Sequence, residues 1–312
     1  MKKDNDYVFT ICTPCYNCAN KIQRVIKSLE SQTFLDFEWI VIDDGSEDGL
    51  DKLIEQYAKT SSFPVRFFRF DENRGKPSAM NLGISEARGS FFIVADGDDE
   101  FVPEALEKML NAWEAVDLQQ REQLSGVVCN CVDQYGKLVG TPFPESPWIK
   151  DIFEMRHKYR IEGEKWGFNR TDVLRDHLFN TEVDHHLLLT TVWNEIGFKY
   201  KALHLNDSLR IYYRYEDDSQ SLTTLQKKKI LFPAGMRYSF LLDINRYYEK
   251  IIPDYKELLF SFLHYIRMSV HLRYGLRKII GDVVGNKKKF YTLVLYPVGK
   301  AIAWRDHLQR RI

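Results

Sequence analysis

Phe91-Phe92-Ile93-Val94-Ala95-Asp96-Gly97-Asp98-Asp99 is the stretch that decides the fold. Its five apolar residues read as a buried strand, which stops at three carboxylates in four residues. Apolar surroundings cannot solvate an acid, so the carboxylates belong at the strand's end, in a cleft or in water. Gly97 lets the backbone turn tightly between Asp96 and Asp98. Two carboxylates at i and i+2 beyond a strand end can share one hard cation, and a divalent ion with open positions grips phosphate oxygens. The plainer alternative is a strand end followed by a solvated acidic turn.

Working outward, strands and helices alternate. Residues 7–13 read as a buried first strand, followed by the turn Thr13-Pro14-Cys15-Tyr16-Asn17. Ile22, Val25, Ile26 and Leu29 then recur at helical spacing. Phe37 to Ile42 is a second apolar strand, ending in Asp43-Asp44-Gly45-Ser46-Glu47-Asp48. A helix with Leu50, Leu53, Ile54 and Tyr57 inward precedes a third strand, Val65 to Phe70. Pro77 suits the first turn of the helix after Asn73-Arg74-Gly75-Lys76, and Pro103 opens another. The order predicts an α/β fold: a mostly parallel sheet flanked by helices, with ligands beyond the carboxyl ends of its strands. Three polar clusters then fall on one edge. Gly126–Val132 reads as a further strand, and residues 163–176 begin Gly163-Glu164-Lys165-Trp166-Gly167-Phe168 and continue into a short helix. Lys201–Leu205 and Leu209–Tyr213 read as two more strands, and residues 226–280 as helices.

No Walker lysine loop and no Gly-x-Gly-x-x-Gly follows the first strand, which disfavours P-loop enzymes and dinucleotide-dependent dehydrogenases. Formal net charge is zero, yet residues 258–312 carry eleven Lys and Arg against Asp282 and Asp306, so the first 257 residues carry the matching excess of acid. The polar start gives no signal-peptide pattern, and no uninterrupted apolar run approaches the roughly 18 residues of a membrane span. Pro297 and Lys300 interrupt the longest candidate, Phe290 to Trp304. Five cysteines without a secretory signal predict reduced thiols and a cytoplasmic location. Cys12, Cys15 and Cys18 imitate an iron–sulfur spacing, but Cys12 falls inside a strand pattern and no Cys-Pro supplies a fourth ligand.

Thr13-Pro14-Cys15-Tyr16-Asn17, Asp43-Asp44-Gly45-Ser46-Glu47-Asp48, Asn73-Arg74-Gly75-Lys76 with Ala79 and Asn81, and Asp96-Gly97-Asp98-Asp99 together resemble the family 2 glycosyltransferases in order and spacing. The resemblance covers residues 7–115 strongly. It continues more weakly to about 222, where Val192-Trp193-Asn194-Glu195-Ile196 and Leu209-Arg210-Ile211-Tyr212-Tyr213-Arg214 look like a bacterial branch that builds surface polysaccharide. It implies the Rossmann-like GT-A fold over residues 1–222, with a helical, basic C-terminal extension over 223–312. It further implies a nucleotide-diphosphate-sugar donor, a divalent ion (Mn2+ or Mg2+), inversion at the anomeric carbon, and a glycan or lipid-linked acceptor.

Carried over residue by residue, Thr13, Pro14 and Tyr16 would line the nucleotide pocket. Asp44 would accept a hydrogen bond from the base, supported by Asp43. Lys76 and Arg74 would reach base or diphosphate. Asp96 would lie near ribose and metal, and Asp98 would be the principal metal ligand. Each residue also has a plainer role: Asp43 and Ser46 as helix caps, Lys76 as a solvated loop charge, Tyr16 as packing.

Inversion needs a carboxylate to take the acceptor's proton. Related sequences place an acid just before the helix carrying Val192-Trp193, but here Leu187-Leu188-Leu189-Thr190-Thr191 has none. The nearest acids, Glu182 and Asp184, are the candidates for the base. Their alternative role is to cap a helix whose first turn holds His185 and His186. The basic tail suggests docking on an anionic membrane surface at the inner face of the plasma membrane, with a packed cap or a homodimer interface as the alternative. Nucleic acid is not expected, since no binding motif accompanies the charge. Two rival functions remain: a sugar nucleotidyltransferase, and a non-catalytic scaffold that binds nucleotide-sugar.

Overall fold

A computed structural model of the chain describes residues 6–185, 187–213 and 232–309. Two compact units divide it. One comprises Met1–Arg156, Arg160–Phe179 and Asn194–Arg214; the other comprises His157–Tyr159, Asn180–Trp193 and Tyr215–Ile312. The boundary expected near residue 222 lies outside the described residues; the units change over at Arg214.

The first unit carries the alternation expected of an α/β fold. Its opening half runs β1 (Tyr7–Cys15), α1 (Gln23–Glu30), β2 (Phe37–Asp43), α2 (Leu50–Ala58), β3 (Val65–Arg69), α3 (Lys76–Glu86) and β4 (Gly89–Val94). There follow β5 (Glu100–Phe101), α4 (Ala105–Glu114), α5 (Leu118–Arg121), β6 (Leu124–Asp133), β7 (Trp148–Lys150) and a π-helical turn (Glu154–Lys158). β8 (Lys165–Arg170), α6 (Thr171–Arg175), α7 (Thr190–Lys199) and β9 (Lys201–Tyr212) complete the series. The sheet order is β3-β2-β1-β4-β8-β6-β9-β5, with β7 beside β9. β3, β2, β1 and β4 are mutually parallel, and β6 is parallel to β9, whereas β8 runs antiparallel to both its neighbours.

Every residue of β2 is buried, as a central strand covered on both faces requires. Of its two buried acids, Glu38 is satisfied by Thr10 Oγ1 at 2.7 Å, the Arg88 N–H at 2.7 Å and Arg66 Nη1 at 3.3 Å. Aromatic residues fill the core. The Phe91 and Phe168 rings lie 4.4 Å apart, and Phe9 lies 5.6 Å from each. Each such ring contributes about 1.5–3 kcal/mol by leaving water.

Two elements differ from the sequence reading. Residues 165–170, for which no strand was expected, form β8. Trp166 and Phe168 are buried and alternate with Lys165 and Gly167, so the period of two is present but confined to six residues. β9 is one strand where two were expected. Asn206-Asp207-Ser208 resembles a turn in composition but lies within the strand, opposite register shifts in β6. Asn206 holds the irregularity in place by bonding Asn130 Nδ2 and both backbone groups of Phe143.

The second unit is helical: α8 (Pro233–Asn245), α9 (Tyr248–Ile251), α10 (Tyr255–His271), α11 (Leu276–Gly281) and α12 (Asn286–Leu308). Its core contains Phe262, Tyr265, Ile266, Met268 and Ile279. Arg267 and Asp306 form a bidentate pair at 2.6 and 2.8 Å, with His271 Nε2 2.9 Å from the same carboxylate. α12 is continuous across Pro297. Pro297 is exposed, so the carbonyl that loses its N–H partner there is near water. No helix among the described residues is long and apolar enough to cross a membrane.

Candidate active site

Strand register brings the three polar clusters to one edge. Cys15 pairs with Asp43 between β1 and β2, and Cys12 pairs with Val94 between β1 and β4. The turns that follow are laced together. The Asp44 N–H donates to the Cys15 carbonyl at 2.8 Å, Asn17 N–H to Ser46 Oγ at 2.9 Å, and Ala19 N–H to Asp48 Oδ2 at 2.8 Å. Gly45, at φ 78°, lies against the next loop, where a Cβ would stand 2.7 Å from the backbone carbon of Glu72.

Asp44 is almost fully buried. Its two oxygens accept from the Arg74 N–H at 2.7 Å and the Gly75 N–H at 2.8 Å. It therefore fixes the loop that delivers Lys76. Asp43 is fully buried, accepts from the Ser46 N–H at 2.9 Å and faces Arg69 Nη1 at 3.3 Å. Thr13 is also fully buried and its Oγ1 accepts from Trp39 Nε1 at 2.8 Å. β1 turns that side chain inward, so what Thr13 offers at the strand edge is its backbone. Pro14 is half-buried, and Tyr16 is exposed. The Arg74 guanidinium lies over the Phe70 ring, 5.0 Å from its centroid.

The carboxylates after β4 are not equivalent. Lys76, the first residue of α3, places Nζ 2.5 Å from Asp96 Oδ1, and Arg210 Nη2 stands 3.7 Å from Asp96 Oδ2. Burial opposes ionisation of Asp96, but Lys76 and Arg210 outweigh it and hold the carboxyl below its ordinary range. Burial likewise opposes the Lys76 charge, and Asp96 more than restores it. Asp99 is buried. It accepts from Arg210 Nη2 at 2.7 Å and from the Asp96 N–H at 3.1 Å, and burial pushes it up to about 7 against the pull of Arg210. Asp98 is half-buried, and among the described residues no side chain or N–H partners its carboxylate. Its carbonyl accepts from Arg24 Nη1 at 3.2 Å, and the Arg24 guanidinium lies 3.9 Å from the Tyr213 ring centroid. Trp166 Nε1 ties the end of β4 through the Val94 carbonyl at 2.7 Å.

A divalent ion fits Asp98, the one acid of the three not already neutralised by a cation. Asp96 is engaged by Lys76 and Arg210, in keeping with Asp98 as the principal ligand and Asp96 beside it. No group of three or more His, Cys, Asp or Glu suited to a metal occurs among the described residues, so diphosphate oxygens and water would complete the shell. The three N-terminal cysteines do not converge. Cys12 Sγ packs over Gly83, whereas Cys15 and Cys18 flank Gly97. A Cβ on Gly97 would stand 2.7 Å from Cys18 Sγ and 3.2 Å from Cys15 Sγ, so the tight acidic turn requires glycine on packing grounds.

Glu182 and Asp184 belong to the second unit. Glu182 is exposed. Asp184 is half-buried, and its Oδ2 accepts from the Gly235 N–H in the first turn of α8 at 3.0 Å. The helix expected to start at His185 begins instead at Thr190, so the cap that Asp184 provides serves α8. His186 lies outside the described residues.

Sequence reasoning gave no role to Arg210, Arg24 or Trp166. The signal for Arg210 was available: a cation flanked by Leu209 and Ile211 in a strand pattern calls for an acid partner where it is buried.

Comparison with known proteins agrees with this arrangement. Residues 10–171 match the family model described as glycosyl transferase family 2. The GalNAc(5)-diNAcBac-PP-undecaprenol beta-1,3-glucosyltransferase of Campylobacter jejuni is 24% identical over 68% of this chain and 67% of its own length. A putative glycosyltransferase of Bacillus subtilis, a cholesterol galactosyltransferase of Borreliella burgdorferi and a succinoglycan biosynthesis protein of Rhizobium meliloti match over less than half of their own length. S. aureus TarS 1-349, solved with UDP-GlcNAc, superposes with a TM-score of 0.59 at 17% identity, over 97% of this chain and 92% of that one. The mannosyltransferase PcManGT from Pyrobaculum calidifontis, solved with GDP-Man and Mn2+, gives 0.53 at 16% identity, over 96% and 81%. With more than half of the chain matching the family model and the GT-A sheet and its motif-bearing edge in place, the chain belongs to glycosyl transferase family 2.

Proposed function

We propose that the protein transfers a sugar, with inversion, from a nucleotide-diphosphate-sugar to a hydroxyl of a glycan or lipid-linked acceptor during synthesis of a bacterial surface glycan, at the cytoplasmic face of the membrane. The observation that carries this reading is the division of labour after β4: Asp96 neutralised by Lys76 and Arg210, and the Asp98 carboxylate without a partner among the described residues. The undecaprenol-linked substrate in the name of the Campylobacter relative and the UDP-GlcNAc bound to TarS support the acceptor and donor classes.

Departure of a nucleoside diphosphate builds negative charge on phosphate oxygens. A divalent ion held by Asp98 would supply Lewis-acid neutralisation of that charge. Lys76, at the start of α3, would add a fixed cation beside the diphosphate. Asp44 would accept from the base while keeping Arg74 and Gly75 in place, with Asp43 bracing its turn. Pro14 and Tyr16 would bound the nucleotide. Asp184 or Glu182 would take the acceptor's proton.

The test is turnover against a panel of UDP-, GDP- and dTDP-sugars with Mn2+ or Mg2+ and undecaprenyl-diphosphate-linked acceptors, with the product anomer assigned by NMR. The expected result is one favoured donor and an inverted product. Asp184→Asn, which keeps an acceptor for Gly235, or Glu182→Gln should bind that donor yet lose transfer at least a hundredfold. A retained anomeric configuration, or no donor turned over, would contradict the reading. Pyrophosphate release from a nucleoside triphosphate and a sugar phosphate would favour the nucleotidyltransferase alternative.

A further inference from the structure

α12 has two unlike faces. Thr292, Gly299, Ala303 and Asp306 are buried along one side. Gly299 lets that side approach α10 closely: a Cβ there would stand 2.6 Å from Ile266 Cγ2. Asp306 is the only acid in the 23 residues of the helix, and it is consumed by Arg267 and His271 on this inner side. The other side is apolar and faces water. Phe290 is 61% exposed, Leu293 48%, Val294 55%, Val298 50%, Trp304 65% and Leu308 63%. At 100° per residue these six fall within about 140° of one another, a contiguous stripe some 27 Å long. Exposed Lys300 borders it, Lys287 stands at its N-terminal end and Arg305 lies within its arc, and every charge the helix presents to solvent is positive.

A stripe of this size does not arise from scattered surface residues, since exposed apolar area of several hundred Å² marks a contact. Its composition selects among contacts. Interfaces between protein copies deplete Lys at their core and balance charge at their rim. Cations of one sign beside Phe, Trp, Leu and Val match a helix lying in the headgroup layer of an anionic bilayer. Pro297 is compatible with this geometry, because Leu293, four residues earlier, is itself exposed on the outer side. We propose that α12 is a membrane-surface docking helix that seats Phe290, Val294, Val298 and Trp304 in the interface of an anionic bilayer, with Lys287, Lys300 and Arg305 on lipid phosphates. The helix would lie on the membrane and would not span it.

The test uses the full chain and needs no nucleotide, so it stands or fails apart from the transferase reading. Co-sedimentation with vesicles of 30% phosphatidylglycerol in phosphatidylcholine should show binding that weakens at least tenfold in pure phosphatidylcholine and falls in 0.5 M salt. Val294→Glu with Val298→Glu should remove binding. Glutamate is a better helix former than valine, so α12 stays folded, as circular dichroism would verify. Lys287→Gln with Lys300→Gln should weaken binding about tenfold or more, and the emission of Trp304, isolated by difference from Trp304→Phe, should shift to the blue on anionic vesicles. Equal partition onto neutral and anionic vesicles, no binding to either, or a solution dimer that the glutamate pair dissociates while vesicles have no effect would each overturn the proposal.

Discussion

Arg210 shows what one residue does to the chemistry of its neighbours. Its guanidinium is buried and bridges Asp99 and Asp96, and their two carboxylates hold its charge above even the usual arginine range against burial. Removing one partner of such a pair strands the other, at about 3–5 kcal/mol. Arg210→Met should therefore destabilise the first unit by roughly 3 kcal/mol. The double variant Arg210→Met with Asp99→Asn should recover at least 1 kcal/mol of that loss, read from urea unfolding midpoints; strictly additive losses would contradict the pairing. At this scale the sequence was legible where residue type and position agree. Asp96, Asp98, Asp44 and Lys76 were placed by motif order, and all four lie at the expected edge. The inward turn of the Thr13 side chain was not legible, because a strand's last inward residue and its first outward one differ by a single step, which alternation alone does not number. Arg210 was missed because its acid partner is 111 positions away in the chain.

At the scale of the element, β9 carries a pH-sensitive residue of a different kind. His204 is 2% exposed, its Nδ1 lies 3.1 Å from the Trp148 carbonyl, and the Phe143 ring is 4.8 Å away. Burial pushes its pKa down to about 4. A histidine lowered in the folded state stabilises the fold fully above its unfolded pKa and loses that contribution as pH falls toward the folded one. Stability should therefore drop by about 2 kcal/mol between pH 7 and pH 5 from this group alone. His204→Asn should flatten that limb in urea titrations at the two pH values, and an unchanged slope would contradict the assignment. Elements with long apolar runs, β1, β2 and β4, were readable to within a residue or two. β8 was not, because six alternating residues with a glycine among them look like a loop, and only pairing with β4 and β6 makes them a strand. β9 was read as two strands because Asn206 and its neighbours carry turn composition, while side-chain hydrogen bonds to Phe143 and Asn130 keep them in line.

At the scale of the whole molecule, charge segregation in the sequence corresponds to two compact units with different chemistry. The acidic first unit holds the strand-edge carboxylates, and the basic second unit holds the exposed apolar stripe of α12. The family was legible from four ordered motifs, because the carboxyl edge of a parallel sheet collects residues far apart in the chain. The acceptor side was not, because Glu182 and Asp184 depart from the pattern of related sequences and no motif fixes what they face. The central claim is that Asp98, alone among the three acids after β4, is available to a metal-bound diphosphate. Isothermal titration of UDP and GDP with and without Mn2+, on wild type and Asp98→Ala, tests it directly. The account predicts nucleoside diphosphate binding that Mn2+ tightens at least tenfold in wild type, and no Mn2+ effect in Asp98→Ala, whose fold is intact. The same Mn2+ enhancement in both proteins would contradict it.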